Sequence, residues 1–189
     1  KGDQIITAAN TAIPTISAII NSGAVPKLVD IRDDYLIDPS KIEKQINKKT
    51  KAIIPVHLYG QSCDMDKIIK IAKKYNLKII EDCAQAQGAM YKNKFVGTFG
   101  DFGCFSFYPT KILGTYGDGG FIIAKKFNDY KKIKRLRFYG IETTDKKNKF
   151  FNKYYANDNG FNSRLDEIQS SILNIKLKYI DNFIDRRRR

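Results

Sequence analysis

The stretch KAIIPVHLYGQSCDMDKIIKIAKKYNLKIIED, residues 51–82, decides the fold. It opens on an apolar, β-branched run at 51–57 and closes on a second such run, KIIED, at 78–82. Between them Asp64 stands where a helix cap belongs. Ile68, Ile69, Ile71 and Ala72 follow as an apolar helix face, with Lys67, Lys70, Lys73 and Lys74 as an outer row. Strand, helix and strand, with the strands nearly continuous in apolar residues, is the pattern of a parallel sheet covered on both faces.

The same alternation continues in both directions. Upstream, residues 4–7 read as a strand. Thr11 is placed to cap a helix with Pro14 in its first turn and Ile16, Ile19 and Ile20 on one face, and Gly23 ends it. Residues 27–31, KLVDI, form the next strand, and Asp38 with Pro39 starts a short helix carrying Ile42 and Ile46. Downstream, residues 104–107 and 121–124 are strands around a glycine-rich turn. Beyond Asn128 the pattern is helical, interrupted by a lysine- and asparagine-rich loop at 142–152. A last amphipathic helix follows, with Ile168, Ile172, Ile175 and Leu177 as its apolar stripe and Asp166 and Glu167 in its first turns. The expected class is α/β: a three-layer αβα arrangement around a mainly parallel, mixed sheet.

Composition fits one globular domain. Of 189 residues, 42% are hydrophobic and only 5 are proline, which excludes a disordered or collagen-like chain. Thirty-four Lys and Arg against 20 Asp and Glu leave a formal charge of +14, part of it in the terminal run Arg186, Arg187, Arg188 and Arg189. Such a charge raises the question of nucleic acid, anionic membranes or phosphorylated ligands. The lysine rows lie on outer helix faces, however, and no helix-turn-helix, zinc-finger or RNP-like signature accompanies them, so no nucleic-acid partner is expected. Pro14, Thr15 and Ser17 interrupt the longest apolar stretch, and no membrane span is expected. Cys63, Cys83 and Cys104 form no CxxC pair, and His57 is the single histidine. That usage fits a reduced, cytoplasmic protein without a metal site. Lys1 opens the chain in place of Met, and Gly2, Asp3 and Gln4 do not resemble a secretory signal.

In open parallel sheets ligands bind outside the carboxyl ends of the strands. The polar residues that follow apolar runs there are His57, Asp82 with Gln85, and Ser106 with Lys111. Each has a structural alternative: His57 as a core histidine, Asp82 as a cap of the next turn, Lys111 as an exposed loop lysine. The flanking Phe105, Phe107, Ile112 and Leu113 nevertheless predict a desolvated Lys111, and desolvation lowers an amine's pKa and makes it a nucleophile toward carbonyls. A lysine with a carboxylate is the pairing that a pyridoxal phosphate Schiff base and its pyridinium nitrogen require.

Four segments carry a resemblance: EDCAQAQGA at 81–89, SFYPTKILG at 106–114, YGDGG at 116–120 and GFNSRLDEIQ at 160–169. In this order and spacing they resemble the DegT/DnrJ/EryC1/StrS sugar aminotransferases, pyridoxal 5'-phosphate enzymes of fold type I. The resemblance spans the whole chain and implies that residues 1–189 are the cofactor-binding large domain. That domain would be incomplete at its N-terminus, with residues from about 160 leading toward a C-terminal small domain. It implies that Lys111 forms the Schiff base and moves the proton, that Asp82 keeps the pyridine nitrogen protonated, and that Gln85 lies beside the ring's phenolic oxygen. Ser106 would bind the cofactor phosphate, and Asn162 would reach the phosphate of a neighbouring subunit in a homodimer with shared sites. Arg164 would hold the carboxylate of the amino donor, glutamate, with Tyr108 and His57 also on the substrate side. ANTAIPT at 9–15 and PVHLYGQ at 55–61 look most like enzymes acting on dTDP-linked 3-keto-6-deoxyhexoses, for the synthesis of amino sugars in polysaccharides and other glycans. Many members stack an aromatic ring on the cofactor where this chain has Ala12. The alternative reading keeps the fold and changes the role to a non-catalytic regulatory module that binds cofactor or sugar.

Overall fold

A mixed sheet of six strands organises the computed structural model, which describes residues 1–141 and 155–189. The strands are β1 (Gln4–Ala8), β2 (Val25–Val29), β3 (Thr50–Ile54), β4 (Lys78–Asp82), β7 (Phe102–Ser106) and β8 (Gly120–Ala124). The two-residue β5 (Met90–Tyr91) and β6 (Lys94–Phe95) form a separate hairpin. The order is β2-β1-β3-β4-β7-β8, with parallel pairing as far as β7 and β8 antiparallel to it. The helices are α1 (Ile13–Asn21), α2 (Pro39–Ile42), α3 (Met65–Lys74), α4 (Phe127–Leu136), α5 (Glu167–Leu177) and α6 (Ile180–Arg188). The expected α/β class and mainly parallel sheet are what the chain forms.

Strand alternation sorts side chains between the two faces. Ile6, Ile53 and Ile79 turn to one side, where they pack with Met65, Ile68 and Ile71 of α3 and with Ile42 of α2. Ile5, Ile54, Ile80 and Cys104 turn to the other, where Pro14, Ala18 and Ile19 of α1 border them around a cavity of about 380 Å³. Each fully hidden isoleucine contributes about 1.5–3 kcal/mol by leaving water.

Local chemistry sets the helix ends. The Asp64 carboxylate accepts the Lys67 N–H at 3.3 Å, and Asp38 accepts the Ser40 N–H at 2.9 Å. Gly23, at φ 79°, follows the last turn of α1. Thr11 does not cap α1: Ala12 is the capping residue, and the Thr11 hydroxyl donates instead to Thr15 Oγ1 at 2.9 Å.

Three further expectations shift. Strand β2 begins two residues earlier than KLVDI and includes Pro26, which an edge strand tolerates because its outward side needs no N–H donor. Coverage of both sheet faces is incomplete at β8, where Phe121 and Ile122 are exposed. On α5 the expected stripe does not face the core: Ile168 and Ile175 are exposed and Leu173 is the buried residue. Gln169 and Lys176 of α5 reach the carbonyls of Tyr116 and Gly114, and these tethers fix the helix with Leu173 inward. The loop expected at 142–152 lies outside the described residues.

Replacing Ile53 tests the core assignment. Ile53→Ala should lower unfolding free energy by about 2–5 kcal/mol, whereas Lys51→Ala on the exposed start of the same strand should change it by no more than about 0.5 kcal/mol. Urea unfolding followed by circular dichroism measures both, and equal losses would contradict the burial pattern.

Candidate active site

Residues Glu81 and Asp82 are consecutive on β4 and therefore serve opposite faces of the sheet. The Glu81 side chain is 0% exposed. Its Oε1 accepts the backbone N–H groups of Phe99 and Gly100, both at 2.7 Å, and its Oε2 accepts that of Gly97 at 2.7 Å and lies 3.0 Å from His57 Nε2. Burial alone pushes the carboxyl's pKa up, but the His57 hydrogen bond and those from Gly100 and Gly97 outweigh it, so the group is held below its ordinary value.

His57 is the main correction to the sequence reading. Expected on the substrate side, it is fully buried, and both ring nitrogens are engaged. Nδ1 accepts the Cys63 N–H at 3.1 Å, which leaves Nε2 as the protonated nitrogen that donates to Glu81. The ring thus has no atom left for a ligand, and the alternative of a core histidine holds. Cys83 Sγ lies close enough to complete a three-residue cluster of metal-ligating type. The Glu81 and His57 donor atoms are already committed, though, and burial pushes the Cys83 thiol up, away from the thiolate that a metal needs. Burial raises Cys63 to about 12 and Cys104 to about 11 in the same way.

On the other face, Asp82 sits at the carboxyl end of β4. Its Oδ2 accepts the Thr15 hydroxyl at 2.7 Å, and its Oδ1 accepts the Ala84 N–H at 3.0 Å. The turn-capping alternative for Asp82 is therefore half of its role, because one oxygen closes the turn and the other is held by α1. Asp82 and Ser106 border the same apolar cavity beneath α1. The Ser106 hydroxyl oxygen accepts the Tyr108 N–H at 3.2 Å, which leaves its own hydrogen free to donate.

Gln85 and Lys111 border a second cleft, of about 430 Å³, at the same end of the sheet. Gln85 Oε1 accepts the Tyr59 N–H at 3.0 Å, so its amide NH₂ is left to donate outward. Tyr59 reaches this bond from a left-handed backbone, φ 57°, at a cost of about 1–2 kcal/mol for a non-glycine residue. Lys111 is half-buried rather than desolvated, and its ammonium has no hydrogen-bond or ion-pair partner among the described residues. Gln87 links the two hollows: its Nε2 donates to the Ser106 carbonyl at 2.6 Å, and its buried Oε1 is without a partner.

The remaining expected residues lie apart. Asn162 and Arg164 are exposed and border neither hollow. Arg164 Nε donates to Asn162 Oδ1 at 3.4 Å, and its guanidinium lies 4.8 Å from the Phe138 ring centre. Tyr108 is also exposed. Sequence reasoning missed Thr15, the Tyr59 N–H and Gln87. The cue for Thr15 was present, since Thr15 ends the ANTAIPT segment that leads from β1 into α1.

The model of the DegT/DnrJ/EryC1/StrS aminotransferase family matches residues 1–189. The dTDP-3-amino-3,6-dideoxy-alpha-D-galactopyranose transaminase of Aneurinibacillus thermoaerophilus is 53% identical over 99% of this chain and 49% of its own length. The crystal structure of S. venezuelae DesV in complex with a ketimine intermediate is similar at a TM-score of 0.86 and 38% identity, over 96% of this chain and 47% of that one. That of NtdA from Bacillus subtilis with bound cofactor PMP is similar at a TM-score of 0.84 and 37% identity, over 96% and 40%. The chain spans about half the length of the curated relatives it matches.

The buried carboxylate makes a pH-dependent prediction. Because the folded pKa of Glu81 lies below its ordinary 4.5, its contribution is fully present above that pH and is lost as pH falls through the lower, folded value. Glu81→Gln should cost about 2–4 kcal/mol at pH 7, and the gap from the parent protein should narrow as pH drops below about 4.5. Denaturant titrations across pH 3–7 check this, and a pH-independent gap would contradict it.

Proposed function

The chain belongs to the DegT/DnrJ/EryC1/StrS aminotransferase family, and from that premise we propose that the intact protein is a pyridoxal 5'-phosphate-dependent aminotransferase. It takes an amino group from glutamate and delivers it to a nucleotide-linked keto-deoxysugar, a step in the synthesis of amino sugars for polysaccharides and other glycans. The dTDP-sugar transaminase named among the relatives supports a dTDP-linked substrate. The observation that carries the reading is the donor set at the carboxyl ends of β4 and β7: a held carboxylate, an unpartnered amine, and two polar groups with donors to spare.

These residues fit the cofactor. Asp82, fixed by Thr15 and its own turn, presents a negative charge suited to a protonated ring nitrogen. The free amide hydrogens of Gln85 and the free hydroxyl hydrogen of Ser106 suit a phenolate and a phosphate ester, respectively. When bound, the cofactor supplies the electron sink for the pair left behind as a substrate C–H proton departs. Lys111 Nζ, without a competing carboxylate partner among the described residues, would be the amine that holds the cofactor and that holds and moves that proton. Asn162 and Arg164 are solvent-exposed, which supports roles toward a second subunit of a homodimer and toward the carboxylate of glutamate. Tyr108, exposed beside Lys111, is the remaining candidate on the substrate side. No helix among the described residues is long and apolar enough to cross a membrane. The three free cysteines support a reduced, cytoplasmic setting.

The intact protein with pyridoxal phosphate should develop a visible absorption band that borohydride bleaches, leaving the pyridoxyl mass on the peptide containing Lys111. Lys111→Ala should lose the band and reduce transfer from glutamate to a dTDP-linked keto sugar by about 100-fold or more. A variant that keeps both would sink the reading.

A further inference from the structure

Helix α6 lays two arginines into the cleft that holds Lys111. Arg187 and Arg188 border it together with Lys111, Gln85 and Tyr59. Arg187 Nη2 donates to the Thr110 carbonyl at 2.9 Å, which ties the guanidinium to the residue next to Lys111 and leaves its other N–H groups free. The chain accommodates the helix here at a specific place: Gly88 has φ 80°, and a Cβ on it would collide with Ile184 Cδ1 one turn before Arg188. Among the described residues, no aspartate or glutamate borders this cleft. Arg188 also borders a neighbouring hollow with Asp181 and Asp185, but it forms no ion pair with either. Among the described residues, three cationic groups therefore share one concave site without an anion to balance them.

We propose that this cleft is a diphosphate subsite, with Arg187 and Arg188 as its recognition wall for the nucleotide-linked substrate. Guanidinium forks match phosphoryl oxygens bidentately, and a recess strengthens that attraction relative to an open surface. A cofactor phosphate is the other source of the same chemistry. Its candidate ligand Ser106 borders the cavity beneath α1, however, and that cavity does not include the arginines. The proposal rests on the transaminase reading for the identity of the ligand, but its test does not depend on turnover.

Calorimetric titration of the intact, cofactor-free protein with inorganic pyrophosphate, thymidine 5'-diphosphate, thymidine and pyridoxal phosphate provides that test. The double variant Arg187→Ala/Arg188→Ala should weaken pyrophosphate and thymidine diphosphate binding by about tenfold or more, while leaving thymidine and pyridoxal phosphate within about twofold. The charge-matched Arg186→Ala/Arg189→Ala variant should stay within about twofold for every ligand, because those arginines do not border the cleft. Thr110→Glu, an exposed change that keeps both arginines, should also weaken diphosphate binding about tenfold and covers the case in which the alanine pair disturbs α6. Equal losses in the two arginine pairs, no loss in the first pair or in Thr110→Glu, absent diphosphate binding in the parent protein, or a loss confined to pyridoxal phosphate would each overturn the proposal. Failure of the transaminase reading looks different: no borohydride-trapped bond forms at Lys111, whatever the arginines do to diphosphate affinity.

Discussion

The constraint on which the site depends is the buried carboxylate of Glu81. A charge with no solvent access survives only if nearly every lone pair is used, and here three backbone N–H groups and the His57 ring use them. Satisfying Glu81 folds the turn at 97–100 against β4 and brings in His57 from the end of β3. The His57 backbone N–H donates to the Asp82 carbonyl at 3.0 Å. The residue pair 81–82 is thus gripped by a side chain on one face and by main chain along its edge. Because successive strand residues point to opposite faces, fixing Glu81 inward fixes Asp82 outward into the cavity under α1.

From that fixed point the candidate site groups are reached by short chains of bonds. Thr15 crosses from α1 to hold one Asp82 oxygen, which couples the first helix to a strand two positions away in the sheet. The 3-10 turn after His57 aims the Tyr59 N–H at Gln85, and Gln87 holds the Ser106 carbonyl. The loop that follows β7 then presents Lys111. Each link is individually worth only about 0.5–1.5 kcal/mol, but together they restrict where a ligand's polar atoms can sit.

Much of this was legible in the sequence because it is local. KIIED forms β4 from Lys78 to Asp82 as read, and Asp64 and Asp38 cap the helices that their positions announced. Asp82 and Lys111 stood out as candidates because a carboxylate and an amine follow apolar strands. What stayed hidden depends on partners distant in the chain. His57 looks like a site residue until Glu81, 24 positions on, captures its ring. Pro26 argues against a strand unless one knows that β2 is an edge. On α5 helical periodicity identified an apolar stripe, but periodicity does not say which side faces the domain, and tethers to Tyr116 and Gly114 decide that.

The excess of positive charge divides by whether a counter-charge lies within reach, which the sequence does not display. Lys67 and Lys74 on the outer face of α3 find carboxylates at 2.9 Å from Asp64 and 2.7 Å from Glu43, and they stay in high dielectric where each pair is worth little. Arg187 and Arg188 belong to a run that looks no different in the sequence, yet α6 turns them into a concave cleft where the described residues supply no carboxylate and Lys111 has no partner. Net charge cannot tell these populations apart, because both contribute equally to it. Concavity and the absence of a counter-charge can, and they turn a bulk property of the chain into a statement about one end of one helix.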